Sequence, residues 1–162
     1  MSEQPPFAQP VAEHRWLQQL EGNWKFLGEC KSPEGTLTQE GTQTIRKFGE
    51  LWMLFEADTK MGEDPVKSII TLGFDPAKGK FVGSFIATMM SSFWTYEGTL
   101  DAAKKVLPLD SVGPRMDGKP GTAQYQDEIE IVSKDEYIFR ARLQQDDGQW
   151  IEFMTSRYTR TS

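Results

Sequence analysis

The stretch that decides the fold is FVGSFIATMMSSFWTYEG, Phe81 to Gly98. It reads as two strands, yet it is apolar on both faces. Phe81, Gly83, Phe85, Ala87 and Met89 share one face, and Val82, Ser84, Ile86, Thr88 and Met90 share the other. A sheet with one face in water alternates more cleanly than this. Such a stretch walls a ligand cavity, pairs with a second copy of the chain, or fills a core.

Outward from it, the chain is a succession of strands and turns. Turn signals recur at Pro33-Glu34-Gly35, Gly49, Gly62-Glu63-Asp64-Pro65, Asp75-Pro76-Ala77-Lys78-Gly79, Asp101 to Lys104, Asp117-Gly118 and Asp146-Asp147-Gly148. Between them the spacing predicts strands over 23–30, 37–47, 50–60, 66–74, 80–90, 92–101, 105–111, 122–132, 136–145 and 149–160. Residues 11–21 read as the one helix, with Val11, His14, Leu17 and Leu20 at helical spacing and Gly22 stopping it. Residues 1–10 hold three prolines and read as a flexible leader before one domain over 11–162. About ten antiparallel strands in up-and-down order predict an all-β, closed barrel, which leaves no free sheet edge.

Composition narrows the function classes. The chain has 162 residues, a formal net charge of -6 and a pI of about 4.9. A main task on nucleic acid or an anionic membrane needs a basic footprint, so neither is expected as a partner. Cys30 is the only cysteine, so no disulfide framework exists. The sequence has no run of about 18 apolar residues and opens without a secretory pattern. A cytoplasmic, bacterium-like setting is the resulting expectation.

Alternation assigns an inner wall. Leu51, Met53, Phe55 and Ala57 oppose Glu56, Asp58 and Lys60, while Tyr125, Ile129 and Ile131 oppose Gln126, Glu128 and Glu130. Tyr137, Phe139, Ala141 and Leu143 oppose Arg140, Arg142 and Gln144. The candidate ligand-binding residues are therefore Phe26, Met53, Phe55 and Ile70 from the first half of the chain. Phe85, Met89, Trp94 and Tyr96 join them from the opening stretch, with Phe139, Met154 and Tyr158 from the last two strands. A wall this apolar either fills a small barrel or lines a cavity for one small ligand. Val82, Ile86, Met90 and Phe93 then face outward, to be covered by the helix or by a second chain in a homodimer through strands 80–101.

Few residues carry chemistry. Leu20-Glu21-Gly22-Asn23-Trp24 places a glycine and an indole at the helix-to-strand junction. Gly22 permits the tight turn, Trp24 plugs the barrel end, and Arg157 or Arg160 is a candidate cation over its ring. His14 is the only histidine, which removes most metal sites and the His-dependent nucleophile arrangements. It reads as a packed helix residue. No phosphate loop, dinucleotide fingerprint or C-x-x-C occurs, so no cofactor is expected. Glu97 and Glu152, each beside aromatics, are the candidate acid–base carboxylates, with Tyr158 as a third catalytic candidate. Tyr158 beside one of Arg140, Arg142 or Arg157 would suit an anionic head group, although alternation does not decide which arginine points inward.

The run HRWLQQLEGNW, His14 to Trp24, resembles the opening of the domain-of-unknown-function 1579 family, H-x-x-L-x-x-L-x-G-x-W. The match continues through Gly41-Thr42, Leu72-Gly73-Phe74-Asp75, Lys80-Phe81-Val82 and Glu97-Gly98-Thr99-Leu100-Asp101. It closes with Asp117-Gly118-Lys119-Pro120, Asp147-Gly148 and Tyr158-Thr159-Arg160, so it spans nearly the whole chain from residue 13. The resemblance implies a lipocalin-like, calycin-type barrel, usually bacterial, with no established general activity. This chain departs from the family pattern in three places. Phe85-Ile86-Ala87 stands where the family tends to have Trp-x-Asp, and the family tends to have Arg near Gln126 and Glu near Thr155. A pocket more apolar than its relatives' is implied.

Three functional readings result. The first is noncatalytic binding of a small, largely apolar or amphipathic ligand inside the barrel. The second is a cofactor-independent enzyme using an inward carboxylate with Arg or Tyr158. The third is a homodimeric interaction module with a filled barrel. A cavity separates the first two from the third, and a buried carboxylate with a shifted pKa separates the second from the first.

Overall fold

A computed structural model describes residues 7–162. Of the leader expected over 1–10, residues 1–6 lie outside the described residues. The elements are α1 (Ala12–Gln18), β1 (Gly22–Ser32), β2 (Gly35–Phe48), β3 (Trp52–Met61), β4 (Asp64–Asp75), β5 (Lys80–Ala87), β6 (Trp94–Gly98), β7 (Val106–Pro114), β8 (Thr122–Ser133), β9 (Glu136–Gln144) and β10 (Trp150–Arg160). Each strand pairs antiparallel with its sequence neighbours, and β10 pairs with β1 to close a ten-stranded barrel. Closure leaves no unpaired edge. Among the described residues, no helix is long and apolar enough to cross a membrane.

The barrel has a filled half and a hollow half. At the filled end, inward positions carry bulky groups: Trp24, Ile45, Met53, Leu72, Phe81, Leu107 and Ile129 are all fully buried. α1 lies across this end and contributes Leu17, while Leu20 follows from the turn after it. His14 is buried there, its Nδ1 accepts a hydrogen bond from the Val11 N–H at 3.0 Å, and its ring meets Phe74 edge-on. The helix segment also ties down the surrounding loops. Trp16 Nε1 donates to the Lys104 carbonyl at 2.7 Å, and Gln18 Nε2 donates to the Glu50 carbonyl at 3.1 Å.

Gly22 starts β1 with φ +141°, a conformation that side chains rarely adopt. A Cβ there would stand 2.4 Å from Arg160 Nη1. Arg160 lies over the Trp24 ring at 4.3 Å and donates to the Gln19, Glu21 and Lys134 carbonyls. Of the two candidate cations, Arg160 is the one over the indole; Arg157 points outward to Glu136.

Some expected boundaries move. The helix ends at Gln18 rather than at residue 21, because the chain must turn through Leu20 and Glu21 to enter β1. β5 ends at Ala87 rather than at residue 90, and β6 covers only Trp94–Gly98. Strand parity therefore stops applying at Thr88. Met90, expected outside, lies at the barrel mouth, where its sulfur accepts a hydrogen bond from Trp94 Nε1 at 3.0 Å.

The two faces of Phe81 to Gly98 now separate. Phe81 belongs to the floor, while Phe85, Ala87 and Tyr96 face the hollow half. On the outside, Ile86 pairs with Ile69 across β4–β5 and both are exposed, as is Phe93. α1 does not cover this patch, because it is used at the barrel end, against β3 and β4.

Candidate ligand-binding cavity

The hollow half encloses a cavity of about 450 Å³. It exists because inward positions toward this end carry small side chains. Ala57, Ser68, Ala87, Ser111 and Ala141 line it, where the floor carries Trp, Met and Leu. Larger apolar groups complete the wall, among them Phe55, Ile70, Phe85, Phe139 and Met154. Met89, Met90 and Met116 sit at the mouth, and their flexible thioethers suit an adaptable entrance. Trp94 closes one side of the mouth. It packs so closely on Gly113 that a Cβ there would lie 2.0 Å from the indole ring, and it meets Tyr125 edge-on at 5.0 Å.

Of the expected ligand-binding residues, Phe55, Ile70, Phe85, Met89, Trp94, Tyr96, Phe139, Met154 and Tyr158 line the cavity. Phe26 and Met53 do not. Met53 is part of the filled floor, and Phe26 stacks on Tyr158 at 4.7 Å, outside the space. Both have the right parity but lie too near the closed end.

The catalytic candidates fare differently. Glu97 projects outward, half exposed, to Lys78 Nζ at 3.2 Å. Glu152 is exposed and accepts a hydrogen bond from the Thr155 hydroxyl. Neither reaches the cavity, because each alternates away from an inward neighbour. Tyr158 does reach it, but burial raises its phenol far above the usual range, so it stays protonated and supplies a hydroxyl rather than a base. The three arginines considered for an anionic head group all lie on the outer wall. Arg140 pairs with Glu130, Arg142 with Glu128 and Arg157 with Glu136.

The cavity's own polar groups are others. Asp127 projects inward from β8, and Tyr96 donates its hydroxyl to Asp127 Oδ2 at 2.5 Å. Asp127 is half-buried, and it lines the cavity. Burial pushes its carboxyl up to about 6, against the opposing effect of the Tyr96 hydrogen bond. Tyr137 donates to Gln43 Oε1 and stacks on Tyr158 at 4.3 Å. Ser111, 5% exposed, and Gln39, 7% exposed, each keep one oxygen without a hydrogen-bond partner. Cys30 lines the cavity too, and burial raises its thiol, which leaves it a weak nucleophile.

At the rim, Arg115 is shared between Asp117 at 2.6 Å and Asp146 at 2.8 Å. It thereby links the β7–β8 and β9–β10 loops and is itself neutralised. These ion pairs hold Asp117 and Asp146 below the usual carboxylate range. A shallower groove of about 630 Å³ lies outside on the same rim. Among the described residues, no group of three or more His, Cys, Asp or Glu is placed to hold a metal ion.

Asp127, Gln39, Gln43 and Ser111 were all legible by parity. Asp127 stands two residues from both Tyr125 and Ile129, and Gln43 stands two from Ile45. Polar identity had hidden them, since alternation is normally read from apolar residues. Of the departures from the family pattern, Phe85 and Ala87 line the cavity. Gln126 and Thr155 lie on the outer face, so departures there leave the cavity unchanged; Gln126 bonds Asp110 at 2.9 Å.

A closed ten-stranded antiparallel barrel, plugged at one end and hollow at the other, is a lipocalin-like architecture. The chain belongs to the family described as protein of unknown function (DUF1579), whose model matches residues 9–160. The crystal structure of Rv2717c from M. tuberculosis is similar, with a TM-score of 0.67 and 15% identity, covering 95% of this chain and 100% of that one. A structure of EF1p2_mFAP2b bound to DFHBI has a TM-score of 0.49 and 15% identity, covering 91% of this chain and 98% of that one. At 15% identity the likeness to the Rv2717c structure is one of fold. No curated protein matches the sequence.

Proposed function

We propose that this protein binds a small, largely apolar ligand inside the barrel. The observation that carries the reading is the cavity of about 450 Å³, walled by Phe, Ile, Met and Tyr side chains. That volume falls in the range of small-molecule sites, and the few inward polar groups suit orientation of a ligand. The cavity also removes the filled-barrel premise of the interaction-module reading. A homodimer through strands 80–101 would be a separate property, one that buries Ile69, Ile86 and Phe93.

Filling the space tests the binding reading. Ala141 is buried in the wall, and Ala141→Phe projects a ring into the cavity. With N-phenyl-1-naphthylamine as a fluorescent probe, the wild-type protein is expected to bind in the micromolar range. Ala141→Phe is expected to weaken binding about tenfold or more, since the ring takes volume the probe needs. Equal binding by a folded variant, or no binding by the wild type, would sink the reading.

Asp127 supports a second reading, proton transfer. It is a carboxylate in a largely apolar cavity, titrating near neutrality as a general base should. The ring opening of 5-nitrobenzisoxazole is a direct probe. Asp127 would take the C3 proton as the N–O bond breaks, releasing 2-cyano-4-nitrophenolate. A rate at least about 100-fold above buffer, lost in Asp127→Asn, is the expected signature of this base. A rate equal to buffer would exclude it.

A further inference from the structure

The ligand's head group can be read from the charges the cavity keeps and those it excludes. Among the residues lining it, only Asp127 and Arg115 are formally charged. Arg115 sits at the rim and is balanced by Asp117 and Asp146. Asp127 lies inside and, among the described residues, has no cation paired with it and one side-chain hydrogen bond, from the Tyr96 hydroxyl. Arg140, Arg142 and Arg157, which would serve an anion, are all engaged on the outer wall. The interior is therefore net negative at neutral pH, when most of Asp127 is ionised.

Around this carboxylate the wall is unsatisfied. Ser111 faces Tyr125 in the β7–β8 register, two residues along from the Leu109–Asp127 pair and on the same face. Its hydroxyl oxygen is buried without a partner, as is Gln39 Oε1 across the cavity. The Gln39 amide oxygen accepts hydrogen bonds only, while the Ser111 hydroxyl both accepts and donates. The rings of Tyr96, Tyr125, Trp94 and Phe85 line the same side, and ring faces attract cations. A group with several N–H donors and a positive charge complements this set. A carboxylate would meet Asp127 as a like charge and would leave the Gln39 oxygen without a donor.

We infer that the cavity takes a small lipophilic primary amine, its ammonium held by Asp127 with Ser111 beside it and its hydrocarbon body packed against the aromatic and methionine wall. The inference rests on the binding reading above and adds the ligand class. The carboxylate is already desolvated by folding, so the amine supplies the counter-charge that the folded protein lacks.

Three probes of one shape test it by titration calorimetry at about pH 7.5 in physiological salt: 4-phenylbutylamine, 4-phenylbutan-1-ol and 4-phenylbutanoate. The amine is expected to bind the wild-type protein about tenfold or more tighter than the alcohol, with the carboxylate weakest. In Asp127→Asn the preference for amine over alcohol is expected to vanish. The wild-type ranking needs no variant, so a misfolded Asp127→Asn would not remove the test. Binding of the alcohol or carboxylate as tightly as the amine overturns the amine assignment and leaves the cavity reading intact. An amine preference that persists in folded Asp127→Asn also overturns it, assigning the preference to the acidic surface. Failure of all three probes to bind overturns both.

Discussion

Asp127→Asn is expected to stabilise the folded protein at neutral pH. The direction follows from linkage. The folded carboxyl sits at about 6, above its ordinary value of 3.8, because burial penalises the charge. Below the lower value it is neutral in both the folded and unfolded chain and costs nothing. Between the two values the folded state binds more protons than the unfolded one, so stability falls as pH rises. Above about 6 the full cost is present. A shift of about two units corresponds to roughly 3 kcal/mol. Asn keeps an oxygen for the Tyr96 hydroxyl and carries no charge at any pH. Its melting temperature at about pH 7.5 should exceed the wild type's by roughly 6–12 °C. Near pH 4 the difference should shrink toward zero. Comparing the two proteins isolates Asp127, since the other titrating groups are common to both. Those lining its cavity do not titrate in this window: the phenols Tyr96, Tyr125, Tyr137 and Tyr158 and the Cys30 thiol are all raised, and Arg115 stays charged. Thermal melts at the two pH values check this, and a variant less stable than wild type at neutral pH would contradict it.

The same cost connects stability to function. A carboxylate that weakens the fold where an amide would not is typical of a site whose chemistry needs the charge. A bound ammonium would remove part of that cost. Saturating 4-phenylbutylamine should therefore narrow or reverse the stability order of the wild type and Asp127→Asn, because a ligand stabilises only the state that binds it.

How far the sequence reveals this molecule differs between fold and site. Ten strands and their order are legible because turn chemistry is local: Asp75, for example, accepts the Ala77 N–H through its own carboxylate and reverses the chain at once. The wall residues Phe55, Phe85, Phe139 and Tyr158 are legible because period-two alternation places them inward along β3, β5, β9 and the part of β10 beyond its bulge at Glu152–Met154. Parity, however, says nothing of depth. Phe26 and Met53 have the same parity as the cavity residues yet lie in the floor. The hollow half depends on small side chains on several strands meeting at one height, which only closure of the barrel determines. Asp127 escapes for a different reason. The alternation that locates Tyr125 and Ile129 places Asp127 inward with them, but a carboxylate at an inward position contradicts the usual exposure of acids. The arginines of the outer wall show the converse, since their charge partners Glu128, Glu130 and Glu136 come from adjacent strands.

Trp24→Ala is expected to cost more than any single change in the cavity wall. The indole is 1% exposed, its Nε1–H donates to the Leu20 carbonyl at 2.9 Å, and Tyr137 meets its ring edge-on at 4.9 Å. Truncation removes a large buried surface and leaves a void, a loss of roughly 3–5 kcal/mol. It also leaves the Leu20 carbonyl unpaired and takes the ring from beneath Arg160. Arg160 is the clasp of this end, binding carbonyls from the α1–β1 turn and from the β8–β9 turn. Against a total stability of roughly 5–15 kcal/mol, such a loss should lower the melting temperature by roughly 10 °C. Urea titration should show a lower midpoint with an unchanged slope, because the same surface is exposed on unfolding. Trp24→Phe retains the ring but not the N–H, and should recover most of the loss. The floor and the cavity are different layers, so the Trp24→Phe protein should bind the three phenylbutyl probes in the wild-type order. An unchanged midpoint in Trp24→Ala would mean that α1 and the floor leucines close the barrel without the indole. A changed probe order in Trp24→Phe would mean that the floor sets the geometry of Asp127 through the Tyr137–Tyr158 stack.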